Sequence, residues 1–188
     1  MPERNPDEYV SELLDDLIEE IEEDRPDLKH VAYHEAGHAV IGLKLGYDVG
    51  RVTIRKRYSS LGSAQISKKR CGSLGSTEVQ AGDVSPDSDD FGHICIDLAG
   101  PLAERLVSPI PFEELIAHGA RADWQSARKR ARRNNRQHAD TLIDVLMEET
   151  RALVQQHKEA ITRVATALLE HETLMGEEIQ RITNGSGS

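Results

Sequence analysis

The five residues HEAGH, from His34 to His38, constrain this chain of 188 residues more than any other stretch. If residues 27–45 form a helix, the two histidines lie one turn apart on one face, with Glu35 beside them. Gly46 is placed to end such a helix. Two histidines can share a helix face by chance and serve only in packing. The adjacent acid and the helical context favour a metal site instead.

The chemistry of zinc explains this spacing. Neutral imidazoles bind Zn²⁺ at about 2.0 to 2.1 Å, and a catalytic zinc usually has three protein ligands and one position open to water. The pKa of that water falls to about 7, so a neighbouring carboxylate can accept its proton as it attacks a carbonyl. The motif therefore predicts a zinc site with His34 and His38 as ligands and Glu35 as the general base.

A third ligand has to come from elsewhere in the chain. Glu104, Asp123, His93 and His118 are the plausible suppliers. Spacing does not choose among them, because ligands converge in the fold rather than along the sequence. Asp123 and Glu104 rank nearly equal, and Asp123 could also be explained as an acid that complements a helix dipole in the first turn.

The net negative charge of the chain is concentrated in its first 27 residues. Residues 1–27 hold twelve acids and two bases, while the whole chain has 33 acids and 23 lysines and arginines, so the rest carries 21 of each. Residues 7–23 also place apolar side chains on one helical stripe. We therefore expect an acidic amphipathic helix over residues 1–27, a domain over 28–183 that carries the zinc motif, and a flexible tail over 184–188.

The expected fold is mainly helical with a small β element. The alternation over residues 51–57 predicts a strand, and as a sheet edge it could bind an extended peptide through Val52, Thr53, Ile54 and Arg55. An ordinary hairpin strand fits the same pattern equally well. Residues 59–90 are rich in glycine and serine, with a strand-like stretch only at 63–66, so we expect a mobile loop that either covers the cleft or has no catalytic role.

Helices are predicted over residues 91–106, where Pro101 should bend or split the helix, and from about residue 118 onwards. The second of these carries a basic run that we interpret as a solvated face able to pair with the acidic N-terminal helix. Its charges surround the helix without interleaved aromatic residues, so nucleic acid binding is disfavoured. Residues 138–155 and 158–170 predict two further amphipathic helices packed antiparallel.

Several classes of protein are disfavoured by composition. No stretch reaches about 18 apolar residues, and the N-terminus has no signal-peptide pattern, so we expect no transmembrane segment and a cytoplasmic protein. Cys71 and Cys95 are too few for a disulfide framework and are interpreted as reduced thiols.

Five segments, in order, resemble the FtsH-type ATP-dependent zinc metalloproteases. They are VAYHEAGHAV at 31–40, VTI at 52–54 followed by LG at 61–62, LAGPLAE at 98–104, GARAD at 119–123 with Ala127, and LLEHETL at 168–174 with Gly176 and Ile179. The likeness spans residues 28–182. It implies a helical metallopeptidase domain with His34, His38 and Asp123 as zinc ligands and Glu35 as base.

The departures from that family matter as well. The sequence contains no phosphate loop of the pattern GxxxxGK(S/T), so we expect no ATP binding by this chain. We therefore expect an ATP-independent zinc endopeptidase acting on unfolded, short or loosely structured polypeptides. The hexamer of that family is in doubt, although a homo-oligomer is an open alternative. Ala99 and Pro101 also differ from its glycine-rich pattern.

Two rival hypotheses accompany this one. The first keeps the enzyme but makes Glu104 the third ligand. The second is a catalytically weak peptide-binding or scaffold protein that keeps the peptidase fold. The intact Glu35 argues against the second.

Overall fold

A computed structural model describes residues 28–57, 60–67, 88–117 and 119–185. The elements in these ranges are α1 (Leu28–Lys44), β1 (Asp48–Arg57), β2 (Ser60–Ser67), α2 (Ser88–Glu104), α3 (Phe112–Ala117), α4 (Arg121–Asn134), α5 (Ala139–Gln156), α6 (Lys158–His171), β3 (Thr173–Met175) and α7 (Gly176–Thr183). The prediction of a mainly helical fold with a small β element is confirmed. The predicted acidic helix of residues 1–27 lies outside the described residues, as do Cys71, His118 and residues 186–188.

Small residues allow the helices α1 and α2 to pack very closely. A Cβ built on Gly37 of α1 would lie 2.5 Å from the Cβ of Ala103 and 2.6 Å from the carbonyl oxygen of Ala99, both on α2. Real Cβ contacts essentially never fall below 3.0 Å. The glycine inside the HEAGH motif therefore lets α1 and α2 cross nearly backbone to backbone, which brings the two histidines next to α2.

Pro101 was predicted to bend or split this helix, and it does not split it, because it lies inside the continuous α2. A proline in a helix interior removes one main-chain hydrogen bond and costs about 3 kcal/mol. The neighbouring Leu98, Ala99 and Leu102 are buried in the core. Their burial against the surrounding helices keeps the helix continuous.

The three strands form an antiparallel sheet in the order β2-β1-β3. β1 is therefore the central strand, and the prediction of a sheet edge is wrong for residues 51–54. Its Arg51, Val52 and Thr53 pair with β3, and the N–H of Ile54 donates to the carbonyl of Glu172 at 2.9 Å. The sequence did not reveal this because β3 lies about 120 residues downstream.

The predicted range of the loop, residues 59–90, extends too far in both directions. Residues 60–67 form β2, and α2 begins at Ser88. Glycine and serine have a low strand propensity, but pairing with β1 supplies the hydrogen bonds that stabilise β2. Residues 68–87 lie outside the described part of the chain.

The arginines of α4 bind acids of the neighbouring helices. The guanidinium of Arg130 lies 3.2 Å from Asp97, Arg133 contacts Asp90, and Arg128 lies 2.8 Å from Asp140. The basic run was expected to be a solvated face. Most of the basic side chains of α4 are exposed, as expected, and these three also help to attach α4 to α2 and α5.

The pair between Asp90 and Arg133 predicts a pH-dependent stability. The hydrogen bond from Arg133 is the main reason why the pKa of the buried Asp90 lies below its ordinary value of 3.8, with Arg130 and Asn134 adding to it. A lowered folded-state pKa stabilises the fold above about pH 4, and this contribution disappears as the pH falls through the folded pKa. We expect Asp90→Asn to lower the free energy of unfolding by about 1.5 to 3 kcal/mol at pH 7.

Urea unfolding at pH 7 and pH 3 measures this loss. The matched control is Asp140→Asn, which removes an exposed pair with Arg128 and should cost less than about 1 kcal/mol. An Asp90→Asn deficit of equal size at both pH values would contradict the ionic explanation.

Among the residues that the structure describes, no helix combines the length and the apolar character needed to cross a membrane.

Candidate metal centre

The site begins with the two histidines of α1. The Nε2 atoms of His34 and His38 lie 3.1 Å apart, with their rings in a T-shaped arrangement. This is what a spacing of four residues produces on one face of a helix. Both imidazole nitrogens therefore point to one place.

Asp123 reaches the same place from the first turn of α4. Its Oδ2 lies 3.0 Å from Nε2 of His34 and 3.7 Å from Nε2 of His38. Ala120 and Ala127, on either side of it in the chain, are fully buried and allow α4 to approach α2 closely. Trp124, the next residue, packs edge to face against Phe112, which helps hold this end of α4.

The other ring nitrogens are held by groups outside the cluster. Nδ1 of His38 donates to the carbonyl oxygen of Ile96 at 2.7 Å, and Nδ1 of His34 lies 3.2 Å from Oε2 of Glu104. In the neutral form that binds a metal, these contacts place the ring protons on Nδ1 and leave the Nε2 lone pairs available to an ion. Glu104 therefore contacts Nδ1 of His34, which is not the ring nitrogen that lies near Asp123. The sequence could not separate Glu104 from Asp123, whereas this geometry does.

Glu35 lies beside the cluster and is only 6% exposed. Burial raises the pKa of its carboxyl above the ordinary range, although the nearby His38 and His34 partly counteract this. A carboxylate with a raised pKa is a stronger base toward the proton of a bound water.

The electrostatics of the cluster favour a bound positive charge. Burial by itself would lower the pKa of His34, but the hydrogen bonds to Asp123 and Glu104 raise it to about 10. Burial would likewise raise the pKa of Asp123, yet hydrogen bonds from His34 and His38 hold it below its usual range. The three groups thus stabilise a shared positive charge, and a divalent cation satisfies the same requirement.

The donor set fits zinc. Two imidazole nitrogens and one carboxylate oxygen lie 3.0 to 3.7 Å apart, and ligands at tetrahedral zinc distances would be separated by about 3.3 Å. Gly100 of α2 provides the space, because a Cβ there would lie 2.4 Å from Nε2 of His38 and 2.7 Å from Nε2 of His34. Any side chain at this position would occupy the metal site.

Other residues singled out in the sequence lie elsewhere. The ring of His93 packs against Tyr47, and His118 is outside the described residues. Val52, Thr53 and Ile54 are buried in the sheet, while the exposed Arg55 pairs with Glu172. Val52, Thr53 and Ile54 are therefore not on an edge that an extended peptide could join.

Three contributions to the site were missed in the sequence. They are the carbonyl of Ile96, the space left by Gly100, and Gly62, whose main chain lies against Glu35. Both glycines stand in segments of the resemblance, which was the available signal. The contact with the carbonyl of Ile96 could not be predicted from the sequence, because every residue has a main-chain carbonyl.

The helix α1 thus bears two histidines that form, with an aspartate from another helix, a cluster that could hold a metal ion. The comparisons with known proteins agree with this. The chain is 28% identical, over 82% of its length, to the ATP-dependent zinc metalloprotease FtsH 4 of Sorangium cellulosum. It is 29% identical over 82% to the ATP-dependent zinc metalloprotease FTSH 11, chloroplastic/mitochondrial, of Arabidopsis thaliana, and 28% identical over 92% to FtsH 3 of Phytoplasma mali.

No protein-family model matches the chain. The chain spans 28%, 21% and 31% of the lengths of these three relatives. Over most of its length it is therefore similar to FtsH-type zinc metalloproteases, which confirms the resemblance predicted from the five segments.

Proposed function

We propose that this chain is a zinc metalloendopeptidase that hydrolyses peptide bonds in unfolded or loosely structured polypeptides. One observation carries the proposal: His34, His38 and Asp123 direct their ligand atoms to one point, and the buried carboxylate of Glu35 lies next to it. In this proposal the three residues hold the ion, and Glu35 is the general base.

The roles of the side chains follow from their contacts. Zinc, when bound, supplies a Lewis acid that polarises the scissile carbonyl and stabilises negative charge on its oxygen. Glu35 accepts a proton from the attacking water and returns it to the leaving amine. Glu104 and the carbonyl of Ile96 fix the two imidazole rings, so that their Nε2 atoms keep facing the ligand position.

We propose that the substrate lies along β2 rather than β1. In the described part of the chain, β2 is hydrogen-bonded to β1 on one side only. Gly62 of β2 also adjoins Glu35. An extended peptide can add to such an edge through main-chain hydrogen bonds, which select for unfolded chain more than for sequence.

We also propose that hydrolysis by this chain does not use ATP. The 188 residues contain no phosphate loop pattern, and chemistry at the metal centre needs no nucleotide. Without coupled unfolding, a stably folded substrate would not reach the site. The compartment that we propose is the cytoplasm, because the buried Cys95 is a free thiol.

Metal analysis combined with a cleavage assay tests this function. The purified protein should bind one equivalent of zinc and cleave denatured casein without ATP. A chelator should stop the cleavage, and added zinc should restore it, while a stably folded protein of similar size should stay intact. A protein that binds zinc and cleaves none of these substrates would instead be the peptide-binding or scaffold alternative.

A further inference from the structure

Gly62 occupies a position beside Glu35 that only glycine fits. Its φ of +104° lies in a region that side chains disfavour, and a Cβ there would lie 2.6 Å from Oε1 of Glu35 and 2.9 Å from Cγ1 of Val31. The main chain of β2 therefore forms a wall against the carboxylate of Glu35. The wall contributes to the burial of that side chain.

The sheet is irregular at the same position. Thr53 pairs with Ser63 and Lys56 pairs with Leu61, so three steps along β1 match two steps along β2. This β-bulge puts an extra residue of β1 opposite Gly62. Bulges redirect the chain locally and are frequent next to active sites. Both the bulge and the positive φ thus coincide with the residue that touches Glu35.

We propose that Gly62 is a positioning residue that holds the carboxylate of Glu35 in its catalytic orientation. This inference rests on the proposed function, in which Glu35 is the general base. The side chain of glutamate has three rotatable bonds, and a wall on one side restricts the orientations that it can adopt. The atoms nearest to a Cβ built on Gly62 belong to Glu35 and Val31, so Gly62 would act through Glu35. A displacement of about 1 Å at a reacting group can cost about 100-fold in rate.

The test is Gly62→Ala, compared with the wild type on an unstructured peptide. We expect kcat to fall by about 100-fold, with KM within about twofold and one equivalent of zinc still bound. A merely structural defect would also lower the zinc content or the melting temperature in parallel. In a Glu35→Gln background, Gly62→Ala should reduce the residual rate by less than about threefold, because the group that it displaces is already inactive.

Two glycines provide matched controls. Gly50 lies at the other bulge of the same strand pair, where a Cβ would meet only Gln65, at an ordinary distance of 3.5 Å or more. Gly185 shares the positive φ, at +74°, but has no neighbour within 4 Å. Gly50→Ala and Gly185→Ala should both keep the wild-type kcat.

If Gly62→Ala does not fold, the same measurements are made on the double variant Val31→Ala/Gly62→Ala, with the single variant Val31→Ala as its reference. This pair removes the contact with Val31 and keeps the contact with Glu35. A kcat within about threefold of its reference in the folded variant overturns the role of Gly62 and leaves the proposed function intact. A wild-type protein that binds zinc but cleaves nothing overturns both.

Discussion

Glu35→Gln is expected to lower kcat for peptide hydrolysis by about 10² to 10⁴-fold while one equivalent of zinc remains bound. Glutamine has the same size as glutamate but cannot accept the proton of the attacking water. The side chain is only 6% exposed, so the substitution keeps the packing. It also removes a charge whose burial was unfavourable, which should leave the melting temperature unchanged or slightly higher.

The rate is measured on a fluorogenic unstructured peptide, with metal content determined on the same samples. Glu170→Gln is a suitable control because this acid is 65% exposed and pairs only loosely with His171, at 3.8 Å. It should behave as the wild type. Full activity of a zinc-loaded Glu35→Gln protein would show that another group takes the proton, and the proposed mechanism would have to be abandoned.

Asp123→Ala is expected to abolish stoichiometric zinc binding and, with it, all zinc-dependent cleavage. Oδ2 of Asp123 is the only carboxylate oxygen of the described residues that converges with both Nε2 atoms, so its loss leaves two ligands. Glu104→Gln should weaken zinc binding only about 10 to 100-fold, since Glu104 orients His34 without reaching the ligand position. The two variants therefore separate a ligand from a group that supports a ligand.

Competition with a chelator of known zinc affinity measures both effects. Asp123 also stands in the first turn of α4, where a carboxylate favours the helix dipole. Asp140→Asn controls for this, because Asp140 occupies the first turn of α5 and lies in no metal cluster of the described residues. If Asp123→Ala kept one equivalent of zinc while Glu104→Gln lost it, the third ligand would be Glu104 and the assignment made here would be reversed.

Local patterns predicted much of this fold. The helical face of His34 and His38, the end of α1 before Gly46, and the amphipathic helices α5 and α6 all follow from spacings within one or two turns. Such spacings depend on the geometry of a single element, which is the same in any protein. The extent of β2 was underestimated because its stability comes from pairing with β1 rather than from its own composition.

The predictions that failed all depended on distant partners. β1 has the alternation of an edge strand, but β3, from near the C-terminus, pairs with its second side. The ion pairs of Arg130 and Arg128 with acids of α2 and α5 were likewise not predicted. The helix α2 continues through Pro101 because the surrounding core stabilises it.

The sequence by itself determined that two imidazoles and an acid lie together on one helix, a pattern that predicts a zinc site. Only the tertiary structure decided which carboxylate completes the cluster. Oδ2 of Asp123 lies near the Nε2 atoms, whereas Glu104 contacts Nδ1 of His34. Gly100 lies next to the two Nε2 atoms, and Gly62 lies next to Glu35. The reason is physical, since a helix repeats every 3.6 residues, whereas contacts between α1, α2, α4 and β2 depend on how their surfaces pack.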